Sequence, residues 1–211
     1  MVNCKRIGLT GQTGAGKTVV SDMLRERGFA VIDCDRVSRD VVSAGTDCLM
    51  ELVTEFGVEI LQADGTMNRH RLGNIVFNDK KKRIRLNEII FPHIQAAIDM
   101  RIASLEKTGC QTVIMDAPTL FESGIDAQCD KVVSVIAPQW TRKRRILARD
   151  NITEEQAESR ILAQHPDSFY TSRSDFVIEN EGGIGELLVT VLEMISALGL
   201  ESMPPLKRDI P

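Results

Sequence analysis

Residues Gly11-Gln12-Thr13-Gly14-Ala15-Gly16-Lys17-Thr18 spell G-x-x-x-x-G-K-[ST], set between an apolar run, Ile7-Gly8-Leu9, and a helical pattern that begins at Lys17. A strand that passes through such a loop into a helix is built to hold an anion. The glycines let successive backbone N–H groups converge on one phosphate, and the helix points its positive end at the same place. On this reading Lys17 reaches the β- and γ-phosphates of a bound nucleotide, and the Thr18 hydroxyl takes a Mg²⁺ ion. Gly11, Thr13, Gly14, Ala15, Gly16 and Val19 complete the nucleotide cradle.

The rest of the composition limits what surrounds this loop. A chain of 211 residues with 43% hydrophobic residues can bury the core of one domain. The formal charge of −4 supplies no global field for nucleic acid or an acidic membrane, so neither partner is expected and anions must be bound by local clusters. Cys4, Cys34, Cys48, Cys110 and Cys129 are odd in number and widely spaced, with no C-x-x-C pair, and read as free thiols of a reducing compartment. With no signal-peptide layout and no apolar stretch of membrane-spanning length, the expected location is the cytoplasm. His70, His93 and His165 lack metal-ligand spacing, so no metal site made of protein ligands alone is expected.

Short Val- and Ile-rich runs at 7–10, 29–33, 112–116, 131–136 and 175–179 predict five strands. Helical patterns alternate with them at 17–27, 141–149, 154–164 and 184–198, with Gly28 and Gly199 closing the first and last. Thr153-Glu154-Glu155-Gln156 forms a capping box. This alternation predicts an α/β fold of three layers, a five-stranded parallel sheet with helices on both faces and a ligand crevice at the carboxyl ends of the strands. About 75 residues separate the second and third strands, far more than a usual crossover. They predict a helical, acceptor-binding insertion at about 36–110, with helices at 36–43, 47–56, 69–77, 81–91 (stopped by Pro92) and 93–106, and an Asp64-Gly65 turn. The chain then reads as one domain over 1–203 with a lid at about 140–173, followed by a disordered tail at 204–211.

Four groups of side chains carry candidate chemistry. Asp33 closes the second strand at the phosphate rim and is assigned the catalytic role of orienting the attacking hydroxyl and accepting its proton. Asp35 is assigned to the acceptor side of the same rim and to capping the helix that begins at Arg36. Thr112-Val113-Ile114-Met115-Asp116 has the form of a Walker B strand, whose Asp holds Mg²⁺ directly or through water. Leu120, Phe121 and Glu122 follow as a substrate-contacting loop, in which the apolar pair either flanks a flat ring or packs into the core. Arg142, Arg145 and Arg149 fall on one helix face, a row of guanidiniums suited to polyphosphate; Arg145 is assigned to the nucleotide and Arg149 to charge developing during transfer.

Taken together these motifs resemble the dephospho-coenzyme A kinase family from Arg6 to about Leu198. The resemblance is carried by Ile7-Gly8-Leu9-Thr10-Gly11, Val31-Ile32-Asp33-Cys34-Asp35 with Ser38-Arg39, Phe56-Gly57, Asp64-Gly65, Arg69 with Leu72 and Val76-Phe77. It continues through Asp116-Ala117-Pro118 with Leu120-Phe121-Glu122, Arg149-Asp150, Arg160-Ile161, Gln164, and Asp175-Phe176-Val177-Ile178-Glu179-Asn180. It implies transfer of a phosphoryl group from ATP, with Mg²⁺, to the ribose 3′-hydroxyl of dephospho-coenzyme A, a small-molecule acceptor. Two departures stand out: Phe91-Pro92 where the family usually has His-Pro, and Ser174-Asp175 where it tends to Ala-Asp. Another P-loop nucleoside or nucleotide kinase is the alternative. A nucleotide-dependent switch is disfavoured, since neither Asp-x-x-Gly nor Asn-Lys-x-Asp occurs.

Overall fold

The computed structural model describes residues 4–202, so the expected tail lies outside the described residues. The five apolar runs pair as one parallel sheet: β1 (Lys5–Gly11), β2 (Ala30–Asp33), β3 (Thr112–Asp116), β4 (Lys131–Ile136) and β5 (Phe176–Glu179), in the order β2-β3-β1-β4-β5. This is the expected α/β fold. β1 lies at the centre, with β3 on one side and β4 on the other, so the chain changes direction around the strand that feeds the phosphate loop. Crevices for ligands open at such points, where neighbouring crossovers diverge.

Burial explains the runs. All five residues of β3 are buried, as both faces of a parallel sheet demand. On one face Ile7, Leu9, Ile114, Val133 and Ile178 pack with Val20 and Leu24 of α1 (Lys17–Glu26), and with Val191 and Met194 of the last helix, Ile184–Ala197. At Gly8 the chain has no room for a side chain, because an added Cβ would stand 2.7 Å from Leu120 Cδ2 and 2.9 Å from Cys129 Sγ.

The residues divide into two compact units, one made of those up to Asp33 and from Ser104 onward, the other of Cys34–Ala103. The second unit is helical. It holds α2 (Cys34–Asp40), α3 (Asp47–Phe56), α4 (Arg69–Phe77) and most of α5 (Lys80–Lys107), and its core includes Val42, Leu52, Phe56, Ile60, Leu72, Val76 and Ile89. Thr46 and Asn68 cap α3 and α4, accepting from the Leu49 and Arg71 N–H groups. The Asp64-Gly65 turn is closed by an antiparallel bridge between Leu61 and Met67.

Two expectations about helices need correction. Pro92 does not end a helix: α5 runs through it, with Ile89, Ile98 and Ile102 buried on either side. Packing on both flanks outweighs the lost N–H and the ring clash of an interior proline, a penalty of about 3 kcal/mol. β2 passes straight into α2 at Cys34, so Asp35 lies in the first helical turn and does not cap a helix starting at Arg36. The stretch after Gln164 forms a further short helix, α8 (Asp167–Thr171), between α7 (Glu154–Leu162) and β5. The helix before α7 is α6 (Gln139–Asp150), and the last is α9. Among the described residues no helix is long and apolar enough to cross a membrane.

Candidate active site

The loop leaves β1 at Gly11 and turns tightly, with the Ala15 N–H donating to Gln12 O at 3.0 Å. Gly16 follows in the left-handed region, φ 103°, where a Cβ would also run into the Asn180 side-chain amide. Only glycine meets both conditions. α1 then starts at Lys17 with no side chain capping it and no acidic residue in its first turn, so its N–H groups and dipole are left to an anion. Asn180, buried just beyond β5, clamps the loop from outside: its amide donates to Ala15 O at 2.7 Å.

Lys17 pairs with Asp116, the last residue of β3, with side chains 15% and 10% exposed. Asp33 ends β2 in register with Asp116. The structure thus brings together Lys17, Asp116 and Asp33 at the carboxyl edge of three adjacent strands, next to the exposed Thr18. The oxygen donors here, a hydroxyl and a carboxylate, are those a hard cation prefers. Among the described residues no group of three or more His, Cys, Asp or Glu side chains gathers to cage a metal. A hydroxyl and a carboxylate beside a phosphate loop fit a cation shared with phosphate oxygens, as Mg²⁺ is in kinases.

α6 and α7 form a helical hairpin turned at Asn151, whose φ of 49° is left-handed. The three arginines of the expected row part company along it. Arg142 is buried, donating from Nε to Ala137 O at 3.0 Å, and burial holds its guanidinium below the ordinary value. Arg145 reaches the loop, donating to Ala15 O at 3.3 Å and Asn180 O at 3.0 Å, and is lowered for the same reason. Arg149 is instead gripped by Asp150 through Nε and a terminal nitrogen at 2.6 and 2.9 Å, and Asp150 also accepts from Arg160 at 2.7 Å. Those hydrogen bonds raise Arg149 and lower Asp150.

A family model for dephospho-CoA kinase matches residues 5–186, most of the chain and every element just described except α9, of which it takes in only the first turn. The chain belongs to the dephospho-CoA kinase family. The dephospho-CoA kinase of Geobacillus kaustophilus is 40% identical over 195 residues, spanning 91% of this chain and 97% of its own. Among solved structures, TT1252 from Thermus thermophilus superposes with a TM-score of 0.80 at 28% identity, over 93% of this chain and 98% of that one. The dephospho-CoA kinase from Campylobacter jejuni superposes at 0.67 with 24% identity over 92% and 96% of the two chains, a likeness of fold alone.

Within this dephospho-CoA kinase family member the substrate-contacting loop divides. Leu120 is fully buried against Gly8 and so packs into the core. Phe121 is half-buried, edge-on to Phe169 at 5.5 Å, and Glu122 lies 3.6 Å from His165. Phe91, where the family usually has histidine, is 44% exposed on α5. Three residues that touch the loop had no role from sequence: Asn180, Gln164 and Asp167. The first two appear in the family motifs, which is the one signal that pointed to them; Asp167 had none.

Proposed function

We propose that this chain transfers the terminal phosphoryl group of ATP to the ribose 3′-hydroxyl of dephospho-coenzyme A, giving coenzyme A and ADP. The reading is carried by one observation above the rest: a phosphate loop whose Lys17 is paired with the terminal Asp of β3, in a chain of the dephospho-CoA kinase family. Gly11, Thr13, Gly14, Ala15 and Gly16 would form the cradle around the phosphates, with Val19 beside them on α1. Lys17 would turn from Asp116 to the β- and γ-phosphates. Thr18 and Asp116 would hold Mg²⁺, which when bound draws charge from the phosphate oxygens.

Asp33 would orient the 3′-hydroxyl and accept its proton as the new bond forms. Arg145, docked on Ala15 and Asn180, would face the nucleotide, and Arg149 would neutralise charge on the transferring group after exchanging Asp150 for it. Phe121, Glu122 and Asp35 are the acceptor-contacting candidates; Leu120 would support them from the core. We read the helical insertion, about 36–110, as the acceptor-binding part and 140–173 as the lid of one kinase domain. A coupled assay of ADP release against a panel of nucleosides, nucleotides, shikimate and dephospho-coenzyme A tests this. Turnover confined to dephospho-coenzyme A is expected, and equal or faster turnover of another acceptor would contradict it.

A further inference from the structure

Two side chains, Gln164 from the turn after α7 and Asp167 from the start of α8, are bonded to the apex of the phosphate loop. Gln164 Oε1 accepts from the Thr13 N–H at 2.8 Å and from the Arg142 guanidinium at 3.4 Å. Asp167 Oδ1 accepts at 2.7 Å from the side-chain amide of Gln12, a residue only 2% exposed whose own Oε1 is buried without a partner. Thr13 belongs to the string whose N–H groups converge on phosphate, and a guanidinium is the side chain best matched to phosphate oxygens. A neutral oxygen held between those two donors occupies the kind of position a phosphate oxygen takes.

We infer that Gln164 is a positioning residue for the nucleotide's phosphates. Its carboxamide keeps the Thr13 N–H and Arg142 aimed at one point, and Asp167 steadies the loop behind them through Gln12. The inference rests on the kinase reading above. Neutrality is the property that matters. A carboxamide oxygen aligns the donors without repelling a polyphosphate, whereas a carboxylate would hold the same donors more tightly and oppose the incoming charge. The fold and the ligand therefore respond to Gln164→Glu in opposite directions. A residue that merely braced the turn would be improved, or left alone, by the stronger charge-assisted bonds; one that shares its donors with phosphate would be damaged.

The experiment is calorimetric titration of ADP with Mg²⁺ into the parent protein and Gln164→Glu, with thermal melts of both and KM values for ATP and dephospho-coenzyme A. The variant should melt at or above the parent, bind ADP about tenfold or more weakly, raise the KM for ATP in step, and leave the KM for dephospho-coenzyme A unchanged. ADP affinity within about twofold of the parent would overturn the inference. If Gln164→Glu does not fold, Gln164→Met, neutral and of similar length, carries the comparison: weakened ADP binding supports the role and parent-like binding overturns it. Parental turnover tests the kinase reading separately. A parent that binds ADP and leaves dephospho-coenzyme A untouched would overturn the acceptor and leave the Gln164 comparison standing.

Discussion

Asp33 and Asp116 are register partners, each the last residue of its strand, so two carboxylates stand side by side at the carboxyl edge of β2 and β3. Lys17 answers the charge of Asp116. That division of labour supports giving Asp116 to the cation side of the reaction and Asp33 to the acceptor hydroxyl. Asp33→Asn keeps the shape and removes the proton acceptor. Turnover should fall by about 10²–10⁴-fold with far less change in the KM for dephospho-coenzyme A. Asp35→Asn, on an exposed position in the first turn of α2, should keep most of the turnover. A crippled Asp35→Asn beside an active Asp33→Asn would reverse the two roles.

Lys17→Ala removes a point charge from the phosphates and also leaves the largely buried Asp116 carboxylate without its partner. Turnover should drop to near background, and the melting temperature should fall, because an orphaned buried charge costs more than the pair contributes. Lys17→Arg should restore the melt better than the turnover, since a planar fork cannot replace a compact ammonium in so tight a loop. Near-normal turnover in Lys17→Ala would remove this loop from the chemistry.

Buried and partly buried thiols make stability fall in alkali. Burial pushes Cys129 up from 9.0 to about 12, with Asp126 and Asp130 adding to the rise and Arg6 opposing it. Burial likewise raises Cys4 to about 12, and its hydrogen bond to Cys110 adds to that. Because the folded value lies above the unfolded one, the neutral thiol's contribution is complete below about pH 9 and is lost as pH climbs toward about 12. The urea midpoint of reduced protein should therefore fall between about pH 8 and pH 10.5, and fall less in Cys129→Ala. Identical declines in the two proteins would contradict this.

Much of the fold was legible because its signals are local. Val- and Ile-rich runs located all five strands, and the bounds of α3 and α4 agree with the expected 47–56 and 69–77, where Thr46 and Asn68 cap the helix starts. The remaining features depend on partners distant in sequence. α8 has five residues and no periodicity of its own; Phe169 and Tyr170 within it pack against Phe121. Gln164, Asp167 and Asn180 act on the loop across more than a hundred residues, beyond any spacing rule. Arg142, Arg145 and Arg149 share a helix face as expected, yet Asp150 and Ala137 decide where two of them point.

Pro92 departs furthest from its local rule, and the departure can be checked directly. Its ring lies on an exposed face inside α5, so replacing it deletes no buried packing. Pro92→Ala should raise the melting temperature by restoring a helical N–H and relieving the clash with the preceding turn. A lower melting temperature would mean that a bend at Pro92 is needed for the burial of Ile89 and Ile98.

On the proposed function, the phosphate loop serves transfer to one hydroxyl of one acceptor. Phosphorus NMR and mass measurement of the product formed by the parent protein from ATP, Mg²⁺ and dephospho-coenzyme A test it most directly. A single new phosphomonoester on the ribose 3′-oxygen is expected, formed in step with ADP and absent from a Lys17→Ala reaction. ADP released without that phosphomonoester, or a phosphoryl group found on any other oxygen, would contradict it.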